Sequence, residues 1–144
     1  MINFKNKNIL ITGASGGIGH ALVKKFISLG GNVVGSGTKI KKLDLLKNKN
    51  PSIKIKKFDL SEHSRIEGFI DDVSMELGGL DILINNAGTN ADNLSLRMKE
   101  EEWKKVIDIN LTSTFLLTKH AIKKMLKNKF GRVVNITSVV GHTG

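Results

Sequence analysis

Residues Asn8 to Gly19 read Asn-Ile-Leu-Ile-Thr-Gly-Ala-Ser-Gly-Gly-Ile-Gly, an apolar β-type run that breaks into a glycine-rich turn and resumes as a helical pattern. The chemistry open to this spacing is the binding of a pyrophosphate. Glycines at 13, 17 and 19 let the backbone turn sharply, approach the anion with no side chain between, and pack the next helix closely on the sheet. The helix N-terminus then presents N–H groups and the positive end of its dipole to the phosphates. A glycine loop alone is also an ordinary strand-to-helix turn. Here the preceding strand and the following amphipathic helix, with Ala21, Leu22, Phe26 and Leu29, provide the context that a nucleotide site requires.

Such a loop works only if a sheet and its helices position it. Short apolar runs recur with helical segments between them, the signature of βαβ units and a parallel sheet. Strands are expected near 8–12, 32–36, 53–58, 80–85 and 131–137, and helices near 17–29, 39–48, 62–77 and 99–127. Pro51, the only proline, falls in the turn before the third strand, where its missing N–H costs nothing. The 144 residues fit a single dinucleotide-binding domain over 1–144, with no repeat or linker and enough chain to bury a core. The fold class that these patterns predict is α/β, a doubly wound parallel sheet of the Rossmann type.

In an open parallel sheet, ligands bind beyond the carboxyl ends of the strands. Small and polar residues stand at four of those ends: the glycine turn, Asp59-Leu60, Asn85-Asn86-Ala87-Gly88 and Asn135-Ile136-Thr137-Ser138. Any one is an ordinary set of turn formers; four on one edge point to a site. The end of the second strand selects the nucleotide. A site for NAD places a carboxylate there to accept the ribose hydroxyl. This chain has Gly35-Ser36-Gly37-Thr38-Lys39 and no acid before Asp44, so a 2′-phosphate meets hydroxyls and a lysine, and NADP(H) is expected over NAD(H).

The last helical segment carries Trp103, Val106, Ile107, Leu111, Thr114, Phe115, Thr118, Ala121, Ile122 and Met125 at helical spacing, a stripe for the sheet or a partner. Trp103 is therefore expected in a core or interface rather than stacked on a cofactor. Asn110 lies within the stripe, where an unpaired amide costs about 1–3 kcal/mol if buried, so a polar partner must meet it. That partner is either backbone that fixes the helix or an active-site water.

Composition narrows the classes further. There is no cysteine, hence no disulfide framework or cysteine metal site, and the four histidines lack ligand spacing. The N-terminal residues carry no long apolar segment, so neither a signal peptide nor a membrane span is expected, and the protein is read as cytoplasmic. The net charge of +10 comes almost wholly from lysine, a balance that AT-rich coding also produces. The shortage of arginine and aromatic residues argues against nucleic-acid readout. Basic residues concentrate only at Lys119, His120, Lys123, Lys124, Lys127, Lys129 and Arg132.

Together these residues resemble the short-chain dehydrogenase/reductase family, over the whole chain. Thr12 to Gly19 resembles its Thr-Gly-x-x-x-Gly-x-Gly loop, with Gly13, Ser15, Gly16, Gly17, Ile18 and Gly19 as cofactor contacts. Asp59 with Leu60 resembles its adenine pocket, and Asn86-Ala87-Gly88 its Asn-Asn-Ala-Gly turn; Thr38 completes the cofactor set. Asn110 and Ser138 fall at two of the family's four catalytic positions. Within the family, Asp92 to Trp103, Gly131 to Ile136 and Ser138 to Gly141 are similar to the bacterial 3-oxoacyl-[acyl-carrier-protein] reductases of fatty-acid synthesis. The resemblance implies NADPH-dependent reduction of a 3-oxoacyl thioester to the (3R)-hydroxyacyl thioester. In it, Ser138 hydrogen-bonds the developing alkoxide and Asn110 holds a relay water. It also implies an acidic carrier-protein partner for the Lys129–Arg132 region and a homotetramer in full-length relatives.

The chain departs from the family pattern in two places. Gly16 stands where many such reductases place an arginine for the 2′-phosphate, so NADP preference leans on Thr38 and Lys39. The family's Tyr-x-x-x-Lys has no counterpart before Gly144 and the chain holds no tyrosine, so the fold is expected to be truncated after the fifth strand. That strand then forms an unpaired edge. The 144-residue chain is expected to be inactive by itself. Alternatives are a relative acting on another ketone or alcohol, such as acetoacetyl-CoA, or a non-catalytic dinucleotide-binding module.

Overall fold

The structure, a computed structural model, describes residues 2–143. Five strands, β1 (Asn8–Ile11), β2 (Asn32–Gly37), β3 (Lys54–Lys57), β4 (Ile82–Asn85) and β5 (Arg132–Asn135), form one sheet in the order β3-β2-β1-β4-β5. Every pairing is parallel. Helices α1 (Gly17–Ser28) and α2 (Ile40–Lys49) link the first three strands, and a 3-10 turn at His63–Arg65 leads into α3 (Ile66–Leu77) before β4. Between β4 and β5 run α4 (Glu100–Ile107), a π-helical turn at Asp108–Thr112, and α5 (Ser113–Lys127); a short α6 (Val140–Thr143) comes after β5. The five strands and the first three helices lie close to the bounds read from the sequence.

Alternation along the strands builds two cores. Ile9 and Ile11 of β1 pack with Val33, Ile82 and Ile84 against Val23 of α1 and Leu46 of α2. Leu10 faces the other way, with Val34 and Leu83, onto Ile66, Phe69, Ile70 and Val73 of α3 and Leu117, Ala121 and Met125 of α5. The central strands are thus covered on both faces, which is why their sequences run continuously apolar. β3 and β5 are the two edges; β5 is bonded to β4 alone among the described residues, and Val134 is 43% exposed.

The final helical segment departs from the expected single stripe. The π-helical turn adds a residue and rotates the helix beyond it, so that Ser113, Leu117, Ala121 and Met125 point inward. Leu111, Phe115, Ile122 and Leu126 are exposed, and Trp103 keeps 61% of its surface, so it belongs to no core within this chain. Asn110 is likewise exposed rather than buried. The apolar residues of this segment therefore divide between an inner and an outer face.

Candidate nucleotide-binding site

The order of strands reverses between β1 and β4, and one cleft of about 800 Å³ opens above the carboxyl ends there. Its walls gather the segments that the sequence keeps far apart. From the loop after β1 come Gly13, Ser15, Gly16, Gly17, Ile18 and Gly19; from the end of β2, Thr38; from beyond β3, Asp59 and Leu60; from beyond β4, Asn86, Ala87 and Gly88. Ser36, Gly37, Lys39, Phe58, Thr89, Lys105 and Ile109 complete the lining. Sequence reasoning misses Lys105 and Ile109, one helical turn apart at the α4 end, because in the chain they are two more members of an amphipathic pattern.

Two ties hold the cleft's opposite walls. Thr12, 1% exposed, accepts through Oγ1 from the N–H groups of Asn86 at 3.1 Å and Ala87 at 3.0 Å. Asn86 returns the contact, its Nδ2 donating to the carbonyls of Thr12 and Gly13, each at 3.1 Å. This close approach demands glycine at 13, where φ is +60° and a Cβ would lie 2.8 Å from Ala87 Cα. A Cβ on Gly19 would lie 2.1 Å from Gly13 O, whereas one on Gly17 meets nothing within 4 Å. Gly19 thus serves packing, and Gly17 leaves open space at the start of α1. That helix has no side-chain cap at Gly16 and no acid in its first turn, so its N-terminal dipole is left for an anion.

The far wall is built around Ser113, which sequence reasoning misses as one more polar helix residue. Fully buried, its Oγ lies 2.7 Å from the carbonyls of both Leu60 and Asp108. His63 Nε2 reaches the same Asp108 carbonyl at 3.0 Å. The segment after β3 is thereby fastened to the π-helical turn. Asp59 Oδ1 accepts from the Ser61 N–H at 2.9 Å and the Ser61 hydroxyl at 2.7 Å. The Ser61 N–H, then its hydroxyl, hold this carboxyl below the usual range against a smaller effect of burial, with a lesser contribution from the Lys105 charge. Its Oδ2 is left to accept from a ligand.

Neither Asn110 nor Ser138 lines the cleft. Asn110 sits at its rim: Oδ1 accepts from the Thr89 N–H at 2.8 Å and Nδ2 donates to the Thr89 carbonyl at 2.7 Å, and because the side chain is exposed, burial is not what requires these bonds. A π-helical turn at this residue re-aims it toward the loop after β4. Ser138 is exposed beyond β5, and its Oγ accepts only a long contact, 3.4 Å, from the Val140 N–H. Asn85 turns into the helix layer, donating from Nδ2 to Thr118 Oγ1 at 3.2 Å and Asn135 Oδ1 at 2.8 Å. It joins the β4 and β5 ends on which Asn86 and Ser138 stand.

A cleft of this size at a sheet's switch point suits a dinucleotide. Open space and an uncapped helix end stand where a pyrophosphate would lie, and a free carboxylate oxygen stands at the opposite end. Residues 7–144 match the family described as short chain dehydrogenase. The chain is 44% identical to 3-oxoacyl-[acyl-carrier-protein] reductase FabG of Rickettsia typhi over 145 aligned positions, covering all of this chain and 58% of that protein. It is 38% identical to the protein of the same name from Escherichia coli over 144 positions, covering 99% of this chain and 59% of the relative. The chain therefore spans somewhat under two thirds of the length of these relatives. No described helix is long and apolar enough to cross a membrane.

Proposed function

Because this chain belongs to the short-chain dehydrogenase family, we propose that it forms the nucleotide-binding portion of an NADPH-dependent oxidoreductase that reduces a 3-oxoacyl thioester carried on acyl-carrier protein. The observation that carries this reading is the single cleft that collects all twelve residues expected to touch the nucleotide, in a chain whose relatives bear a 3-oxoacyl-[acyl-carrier-protein] reductase name. NADPH, when bound, supplies a hydride to the ketone carbon, and the oxygen takes up a proton.

The residues of this chain bind and orient. The α1 N-terminus and the N–H groups of the glycine loop would take the pyrophosphate, Asp59 would accept from the adenosine end, and Asn86 to Gly88 would line the wall for the rest of the nucleotide. Thr38 and Lys39 favour a 2′-phosphate because no carboxylate stands at the end of β2. Asn110 keeps the loop after β4 in place through its two hydrogen bonds to Thr89. Ser138 is assigned the hydrogen bond to the developing alkoxide, which places the substrate between the β4 and β5 ends.

The acidic carrier protein is assigned to the basic surface at the end of α5. Lys123 and Lys124 there are neutralised by Glu67 and Asp71 of α3, which leaves Lys119, Lys127, Lys129 and Arg132 for a partner. The exposed row Trp103, Leu111 and Phe115 is the face that a homotetramer would cover. In the intact protein, oxidation of NADPH and of NADH is compared with 3-oxoacyl thioester on acyl-carrier protein and on a small free thiol. Faster turnover with NADPH and with the carrier-bound substrate is the expected result. A preference for NADH, or turnover confined to simple ketones and alcohols, refutes the assignment.

A further inference from the structure

The Asp108 carbonyl, at the start of the π-helical turn, collects three donors. It accepts the bond that closes the turn from the Ser113 N–H, and it lies 2.7 Å from Ser113 Oγ and 3.0 Å from His63 Nε2. A carbonyl has two lone pairs, and the buried Ser113 hydroxyl has one proton for two carbonyls, those of Leu60 and Asp108, each at 2.7 Å. His63 resolves the shortage. A carbonyl can only accept, so the bond places the imidazole hydrogen on Nε2. With the Ser113 N–H on one lone pair of Asp108 and the His63 N–H on the other, the Ser113 proton is left to the Leu60 carbonyl, and Leu60 lines the cleft. His63 itself, half-buried in the 3-10 turn after β3, does not line the cleft and acts only through what it holds.

We propose that His63 is a positioning residue for the reaction: by holding the Asp108 carbonyl it keeps the π-helical turn wound, and through that turn it sets Asn110 and Thr89 against the nucleotide. The inference rests on the reading of the cleft as that of a nicotinamide-dependent reductase. Asn110 stands two residues beyond Asp108 in the same turn and holds both backbone groups of Thr89, which lines the cleft. An ordinary helical turn would instead bond the Thr112 N–H to the Asp108 carbonyl and turn Asn110 away from Thr89. The His63 donor opposes that change, because it ties the carbonyl to the segment beyond β3 rather than to its own helix. One line of hydrogen bonds thus runs from the wall beyond β3, through the turn, to the wall beyond β4.

The test compares H63L, H63N and H63Q with the wild type in the intact protein. Glutamine can set its amide N–H where Nε2 stands; leucine has no donor, and asparagine, which is shorter, serves as a polar variant without the reach should H63L fail to fold. With NADPH and a 3-oxoacyl thioester on acyl-carrier protein, kcat is expected to fall about tenfold in H63L and H63N, with KM and the NADPH Kd within about twofold of wild type, and to recover in H63Q. Amide exchange followed by NMR reads the same linkage without turnover. The Thr89 N–H, held by Asn110, should exchange faster in H63L and H63N and at the wild-type rate in H63Q, while the Ala87 N–H, held by Thr12, is unchanged in all three. Wild-type kcat and wild-type Thr89 exchange in H63L and H63N overturn the positioning role. A loss that spreads equally to kcat, NADPH affinity and Ala87 exchange, and that glutamine does not recover, overturns it too, because it marks a general loosening. Thr89 exchange that follows the expected series in a protein whose wild type does not reduce the carrier-bound thioester refutes the proposed function and leaves the His63 linkage standing.

Discussion

Replacing Thr12 with valine keeps the side chain's shape and removes the hydroxyl that joins the glycine loop to the turn after β4. Two backbone donors, Asn86 N–H and Ala87 N–H, then lose their acceptor, and the long contact from Thr12 to the Ile84 carbonyl, 3.4 Å, goes with them. An orphaned donor costs about 1–3 kcal/mol when fully buried, and these two are part-buried, so the lower end applies to each. Their sum is about 2 kcal/mol, which for a domain of this size lowers Tm by about 6–8 °C. Thr12→Ser provides the control: it keeps the acceptor and loses one buried methyl, at about 1 kcal/mol. Urea unfolding of the three proteins, with the slope compared to confirm a common transition, should rank wild type above serine above valine. Nucleotide affinity should fall in the valine variant too, because the cleft's two walls are no longer held in register. A valine variant as stable as the serine variant would refute the reasoning, since it would mean that water or a shifted backbone meets both donors without penalty.

The glycines of the loop should separate by role. Gly19→Ala sets a Cβ against Gly13 O and Ala14 Cα, backbone atoms that cannot give way, and is expected to cost about 3 kcal/mol or more. Gly17→Ala is expected to leave Tm within a few degrees while weakening nucleotide binding about tenfold or more, a contrast that thermal melts and fluorescence titration will check. Acid should destabilise the fold with a defined sign. The Lys123 ammonium lowers the Glu67 carboxyl and the Lys124 ammonium lowers Asp71, so both bind fewer protons in the folded state. Their contribution is complete above the ordinary carboxylate values of 4.5 and 3.8 and fades as pH falls through the lowered ones. Urea midpoints between pH 6 and about pH 3 should fall less steeply in Glu67→Gln than in wild type, and parallel curves would contradict the pairing.

Much of the site is legible in the amino-acid order. The strand–glycine turn–helix of residues 8–29 is a local pattern, and period-2 and period-3.6 hydrophobicity are set by backbone geometry alone. The strand ends at Thr38, Asp59-Leu60 and Asn86-Ala87-Gly88 can be named because a parallel sheet aligns all its carboxyl ends on one edge. The phase of the last helical segment cannot. A single π-turn at Asp108–Thr112 shifts the side chains beyond it, and no count of apolar residues reveals an extra backbone residue whose marks are contacts to distant segments, Asn110 to Thr89 and the Asp108 carbonyl to His63.

The amino-acid order by itself therefore determined the five strands and first three helices, the parallel βαβ class and the edge on which a ligand would bind, since each depends on interactions between near neighbours. Tertiary structure alone decided which distant groups meet. It set Thr12 beneath Asn86, Ser113 between Leu60 and Asp108, and Lys105 across from Asp59. Those pairings arise from strand order and helix rotation, quantities fixed by the packing of two apolar layers on a sheet, and no local spacing in the chain encodes them.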